Sequence, residues 1–228
     1  MMIMNKEQII RYILDKRVTA IARHVPAEQL YRAAEALCAG GIGMLEVTFE
    51  PGSFHDAEAR KKDEQTAEAI AHLSVQMKGR MHIGAGTVMT TEQVEMARQA
   101  GAEFILAPDL YEPVVLAANK AGLVSIPGAM TPTEIANAFR MGADIVKVFP
   151  AGALGAKYFK DVTAPLGKLP LLAVGGASPE NMGDFLRAGA SGFGIGTALF
   201  NRELMNRGAW DELTEVARRF MAAAHPEL

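Results

Sequence analysis

Two charged side chains interrupt apolar runs, and both are of types that act on carbonyl groups. Lys147 lies within Asp144–Pro150, DIVKVFP, flanked by Ile145, Val146, Val148 and Phe149. A lysine in a buried strand loses hydration, which favours the neutral amine, a nucleophile for carbonyl carbon. Glu46 lies within MLEVTFE, where strand alternation puts it on one face with Met44 and Thr48. A buried carboxylate needs a partner, and Lys147 is the natural one. Together they would form a nucleophile and a proton shuttle. The residues alone leave two other readings open: a strand-end lysine whose stem reaches solvent, and a purely structural Lys–Glu pair.

Three further stretches suit anions. AVGGASPENM carries Gly175-Gly176, and GFGIGTALF carries Gly194, Gly196 and Thr197. Glycines let backbone N–H groups approach a phosphate closely, and a helix starting just beyond favours negative charge. GAGTV, residues 84–88, offers the Thr87 hydroxyl and nearby N–H groups to a substrate carboxylate. The alternative there is a tight turn with a capping threonine. The five histidines show no metal-ligand spacing, and no dinucleotide or P-loop fingerprint is present.

These residues need a frame that brings them together. Gly101, Gly122, Gly142, Gly167 and Gly189 recur at intervals of about 20 to 25 residues, each after a helix-like pattern and before an apolar run. The apolar runs are Thr19–Arg23, Met44–Phe49, His82–Ala85, Phe104–Ala107, Val124–Ile126, Asp144–Phe149, Leu171–Val174 and Gly192–Ile195. Helical spacing fills the gaps, as in Leu30, Ala33, Ala34, Leu37 and Cys38. Thr131-Pro132 and Ser178-Pro179 read as helix starts. Eight strands alternating with helices predict an α/β fold, a (β/α)8 TIM barrel spanning residues 1–228 as one domain. An open doubly wound sheet is the alternative. Extra helices are expected at residues 5–16 and 209–223. Residues 50–64, EPGSFHDAEARKKDE, read as a charged insertion after the second strand, either solvated or acting as a lid or intersubunit loop.

In such a barrel chemistry sits at the C-terminal ends of the strands. Those ends carry Arg23, Glu46, Thr87, Pro108, Pro127, Lys147, Gly175-Gly176 and Gly196-Thr197. Composition narrows the ligand class. The 228 residues are 50% hydrophobic and 21% charged, with a net charge of −3. That balance gives no electrostatic case for nucleic acid or an anionic membrane. No apolar stretch is long enough to span a bilayer, and the N-terminus lacks a signal-peptide pattern. The single cysteine, Cys38, excludes an internal disulfide and fits a cytoplasmic setting.

Taken in order, LEVTFE, GAGTV, APDL, SIPGAMTPTE, VKVFPA, AVGGASPENM and GFGIGTALF resemble the 2-keto-3-deoxy-6-phosphogluconate (KDPG) / 4-hydroxy-2-oxoglutarate (KHG) aldolases, from about Thr19 to Phe200. The resemblance implies a class I aldolase on a (β/α)8 barrel, a homotrimer that needs no metal or organic cofactor. It puts the Schiff-base lysine at Lys147 and the general acid/base at Glu46. It puts the carboxylate-binding threonine at Thr87 and the ring-stacking pair at Phe149 and Pro150. The phosphate-binding glycines fall at Gly175 and Gly176, with Gly196 and Thr197 in the last loop. One position departs. Where an Arg follows L-E-V-T-L in the better-known branch, this chain has Glu50, and a carboxylate cannot replace a guanidinium as an anion clamp. Arg23 matches another family position and is expected to bind the anionic end. The implied reaction cleaves a 2-keto-3-deoxy sugar acid phosphate to pyruvate and glyceraldehyde 3-phosphate. Other 2-oxo acids, such as 4-hydroxy-2-oxoglutarate or the galactonate epimer, are alternatives. A non-catalytic barrel that binds a sugar phosphate is a more remote one.

Overall fold

The computed structural model describes residues 4–50 and 57–226. The chain begins with α1 (Lys6–Lys16), β1 (Val18–Ala22), α2 (Ala27–Ala39), β2 (Met44–Thr48), α3 (Ala57–Gln76) and β3 (His82–Gly86). It continues through α4 (Thr91–Gln99), β4 (Phe104–Leu106), α5 (Glu112–Lys120), β5 (Val124–Ile126), β6 (Gly128–Ala129) and α6 (Pro132–Arg140). Then come β7 (Val146–Val148), α7 (Ala151–Leu166), β8 (Leu171–Val174), α8 (Met182–Arg187), β9 (Gly192–Ile195), α9 (Arg202–Asn206) and α10 (Trp210–Ala224). All strand pairs are parallel, in the order β5-β4-β3-β2-β1-β9-β8-β7-β6.

The nine strands make a nearly closed barrel because the two ends of the sheet, β5 and β6, are separated by Pro127 alone. The sequence pattern gives eight strands, and the ninth arises by splitting the fifth. Proline has no N–H to give a ladder, so the strand breaks there. Its carbonyl still accepts the Lys147 N–H at 2.9 Å, while the Ala107 N–H bonds the Ile126 carbonyl at 3.1 Å. The run expected at Asp144–Phe149 shortens to β7. Asp144 leaves the strand because its carboxylate accepts the Ser125 N–H and pairs with Lys6, both at 2.8 Å.

Alternation sorts the strand residues into two layers. Leu45 and Val47 of β2, like Val146 and Val148 of β7, face the helices in one large apolar layer. Ile21, Met44, Phe104, Leu106, Val124, Ile126, Ile145, Leu172 and Val174 fill the barrel itself, together with Ile9 and Ile13 of α1. Helix α1 therefore stops the N-terminal end of the barrel. It is held by an Asn5–Gln8 capping box at its start and by the Lys6–Asp144 pair.

Helix starts follow local chemistry. Thr131 and Glu134 form the capping box of α6, with Pro132 at its first position. The expected start at Ser178-Pro179 is corrected: α8 begins at Met182. The Asn181 side chain accepts the Ser178 N–H and donates to the Gly176 carbonyl, both near 2.9 Å, which folds residues 178–181 into a turn. Helix α9 is an element the sequence pattern does not show. Of the charged segment 50–64, residues 51–56 lie outside the described residues, and the part from Ala57 onward is the beginning of α3.

Candidate active site

The inward positions near the C-terminal ends of β2 and β7 carry the two unusual side chains. Lys147 is the middle residue of β7, and with Val146 and Val148 facing outward its side chain faces the barrel interior. It is 5% exposed. Burial pushes its amine below the ordinary lysine range; the Glu46 carboxylate opposes that and the Arg23 guanidinium adds to it. Its Nζ lies 5.3 Å from the centroid of the Phe149 ring.

Glu46 is the middle residue of β2 and is 1% exposed. Burial pushes its carboxyl up to about 7, against the opposing pull of Lys147 and Arg23. Its Oε2 is buried and has no hydrogen-bond partner. Buried polar atoms are nearly always satisfied, so this carboxylate oxygen is placed to take a water or a reacting group as its partner. Its Oε1 lies against Gly86, where any Cβ would overlap it. The missing side chain at Gly86 is what gives the carboxylate room.

Thr87 follows β3 in the left-handed region, with φ of 55°, and is buried. Its hydroxyl accepts from the Arg23 guanidinium at 3.2 Å. Arg23 follows β1 and is exposed, so a cation and a hydroxyl face the opening side by side. Pro108, at the end of β4, is half-buried with its carbonyl packed on Gly128, the register partner of Lys147.

Phe149 stands 45% exposed at the end of β7. A Cβ on Gly175 would come within 3.1 Å of its ring, so the loop after β8 packs on the aromatic face. The Gly175 carbonyl accepts the Gly152 N–H at 2.7 Å. Gly176 has φ of 90°, and a Cβ there would sit 2.7 Å from the Gly152 Cα. Only glycine allows this approach of two backbones. Gly196, half-buried, and Thr197, exposed, follow β9. Since β9 pairs with β8, their loop neighbours the Gly175–Gly176 loop.

The structure thus groups Arg23, Glu46, Thr87, Lys147 and Phe149, with Gly175–Gly176 adjoining through Phe149. Other residues enter that the sequence reading did not assign. His24 sits at φ of 52°, with its Nδ1 3.4 Å from a Glu50 carboxylate oxygen. Gly86 and Gly152 act by the room they leave. Gly86 was visible in GAG as a turn, and the Glu50 departure was visible, but not its histidine partner. Among the described residues no group of three or more His, Cys, Asp and Glu could hold a metal ion. The arrangement offers a desolvated amine, a carboxyl able to carry a proton either way near neutral pH, and a cation–hydroxyl pair for a small carboxylate.

The family model for KDPG and KHG aldolase matches residues 9–216. The chain is 38% identical over 119 residues to the 2-dehydro-3-deoxy-6-phosphogalactonate aldolase of Escherichia coli K12, a match covering 52% of this chain and 58% of that protein. It is 32% identical over 192 residues to the KHG/KDPG aldolase of the same organism, covering 84% of each. Among solved structures, one described as native KDPGal superposes with a TM-score of 0.79 at 27% identity, covering 92% of this chain and 94% of that one. The KDPG aldolase of Legionella pneumophila, described with pyruvate captured as a covalent carbinolamine, gives a TM-score of 0.75 at 26% identity, covering 91% and 96%.

Proposed function

The chain belongs to the KDPG and KHG aldolase family and is a class I aldolase, and from that premise we propose that Lys147 and Glu46 cleave a 2-keto-3-deoxy-6-phosphogluconate-type acid. The observation that carries this reading is the unpartnered Oε2 of Glu46, in a barrel interior shared with a buried lysine amine. The neutral Lys147 amine attacks the C2 carbonyl, with Thr87 and Arg23 holding the adjacent carboxylate. Glu46 gives a proton to the leaving hydroxyl of the carbinolamine, and water departs to leave a protonated imine. Glu46 then takes the C4 hydroxyl proton, directly or through a water. The C3–C4 bond breaks, its electrons flow into the iminium, and glyceraldehyde 3-phosphate leaves. Protonation of the enamine at C3 and addition of water free pyruvate and restore the amine. The iminium is the electron sink, so apart from water these steps draw only on side chains of this chain.

A second reading, the C4 epimer derived from galactonate, is favoured by the names carried by the 38% identical relative and by the native KDPGal structure. It gives the same two products by the same steps. The galactonate epimer and 4-hydroxy-2-oxoglutarate are separated from the gluconate-derived acid by comparing kcat/KM across the three. We also read the chain as a cytoplasmic homotrimer. A single cysteine supports the first, and the exposed apolar side chains of Tyr111, Leu116 and Met130 support self-association. Light scattering reads the assembly.

Borohydride trapping with pyruvate tests the chemistry. The expected result is a reduced pyruvyl adduct mapped to Lys147 and absent from Lys147→Ala. Equal trapping in both proteins, or none in the parent, refutes the assignment.

A further inference from the structure

Among the described residues of the charged segment after β2, one side chain is not explained by a solvated insertion. Asp63, in the second turn of α3, is 5% exposed, although Lys61, Lys62, Glu64 and Gln65 around it are all exposed. Its Oδ2 accepts the Gln93 Nε2 at 2.9 Å. Gln93, in the first turn of α4, is 3% exposed, and its Oε1 accepts the Met89 N–H at 2.8 Å. The Gln93 backbone N–H bonds the hydroxyl of Thr90, the N-cap of α4, at 3.2 Å.

Met89 is two residues past Thr87. A non-glycine residue at φ of 55° persists only where its surroundings over-determine it. Here the two amides that follow are both pinned: Val88 N–H to the Leu106 carbonyl at 3.1 Å, and Met89 N–H to Gln93. A glutamine amide has two nearly isosteric ends, one accepting and one donating. The Asp63 Oδ2 accepts from the NH2 end, which leaves the amide oxygen turned to Met89. Burying a carboxylate is costly unless it is hydrogen-bonded, and the bond to Gln93, which orients that amide, is one such partner.

We propose that Asp63 is a positioning residue for Thr87: through Gln93 it fixes the turn that presents the Thr87 hydroxyl, with Arg23, to the carboxylate of a 2-oxo acid. The inference rests on the reading of Thr87 given above.

The test titrates pyruvate in the borohydride trapping of the full chain, comparing the parent with Asp63→Ala and Asp63→Asn. Outer-shell partners that orient a metal ligand typically change affinity or activity by about ten- to a hundredfold, and a partner that orients Thr87 is expected to act near the lower end of that range. The half-saturating pyruvate concentration is expected to rise about tenfold in Asp63→Ala, with the limiting trapping rate changed by less than about twofold. Asp63→Asn, which keeps an acceptor for Gln93, is expected to recover most of the loss. Unaltered half-saturation in the alanine variant, however far its melting temperature falls, overturns the proposal. If that variant does not fold, Asp63→Ser, whose hydroxyl falls short of Gln93, reads the same quantity. Amide hydrogen exchange over residues 87–93 gives a readout independent of the chemistry. Faster exchange in the alanine or serine variant is expected, and unchanged exchange refutes the positioning role. Lack of a Lys147-dependent adduct in the parent would sink the reading of the reaction and leave the exchange result to decide this one.

Discussion

Replacing Glu46 by glutamine separates its proposed catalytic use from its cost. The substitution keeps shape and volume and removes the charge. A carboxyl raised from an ordinary 4.5 to about 7 is held where its ionised form is disfavoured by roughly 3 kcal/mol. The sign follows from the direction of the shift. Below pH 4.5 the carboxyl is protonated in both folded and unfolded chains, and its ionisation costs nothing. The cost accumulates as pH rises from 4.5 to about 7 and is constant above. Glu46→Gln is therefore expected to match the parent in thermal stability near pH 4. Near pH 8 it should exceed the parent by up to about 3 kcal/mol, less what Lys147 loses with its counter-charge. Activity moves the other way. General acid–base help is typically worth about 10²–10⁴-fold, so kcat for cleavage should fall by that range, while pyruvate is still trapped on Lys147. The pH dependence of trapping adds a third mark. In the parent, the rate should fall as pH drops below about 7 and the Glu46–Lys147 pair takes up its second proton. Pyruvate release followed in a coupled assay, with melts at both pH values, measures all of this. A variant with near-parental kcat, or one that is less stable than the parent at pH 8, refutes the reasoning.

Gly86→Ala puts a Cβ onto Glu46 Oε1 and is expected to lower kcat by about 10²-fold or more through displacement of the carboxylate, with folding retained by circular dichroism. Gly176→Ala pushes on the Gly152 backbone and is expected to raise KM at least about tenfold for the phosphorylated acid. The same variant should leave kcat/KM for 4-hydroxy-2-oxoglutarate within about twofold, because that acid has no phosphate to place. Glu50→Arg exchanges the carboxylate beside His24 for a cation at the opening and is expected to lower KM for dianionic substrates about three- to tenfold, an effect that 0.5 M salt should erase.

How far the site could be read in advance depends on which physical signal a residue leaves in the chain. Lys147 and Glu46 were legible because each breaks an apolar run, and alternation placed Glu46 on the face of Met44, which packs inside the barrel. The ring of parallel strands was legible from glycine spacing, but the break at Pro127 was not, because counting apolar residues ignores a missing N–H donor. The late start of α8 escaped for a similar reason. Ser178-Pro179 has the composition of a helix start, and the Asn181 side chain spends that sequence on a turn instead. The His24–Glu50 pair joins the ends of two different strands, and nothing local to either residue announces it. Asp63 was hidden by its neighbours: a single buried carboxylate in a charged run looks solvated until the facing helix is known.

Because Ile9 and Ile13 of α1 are packed into the barrel interior, the described residues close its N-terminal end and leave the C-terminal end as the way in. Substrate, aldehyde, pyruvate and the hydrolytic water all share it, and the traffic is that of a stack: last in, first out. Under the aldol steps above, the aldehyde blocks the passage until it leaves, so water reaches the pyruvyl group only afterwards. Run in reverse, pyruvate must be loaded before the aldehyde can follow, and an aldehyde that arrives first obstructs it. Synthetic use of this barrel in carbon–carbon bond formation is then governed by the order of addition, with pyruvate in place before the aldehyde is fed.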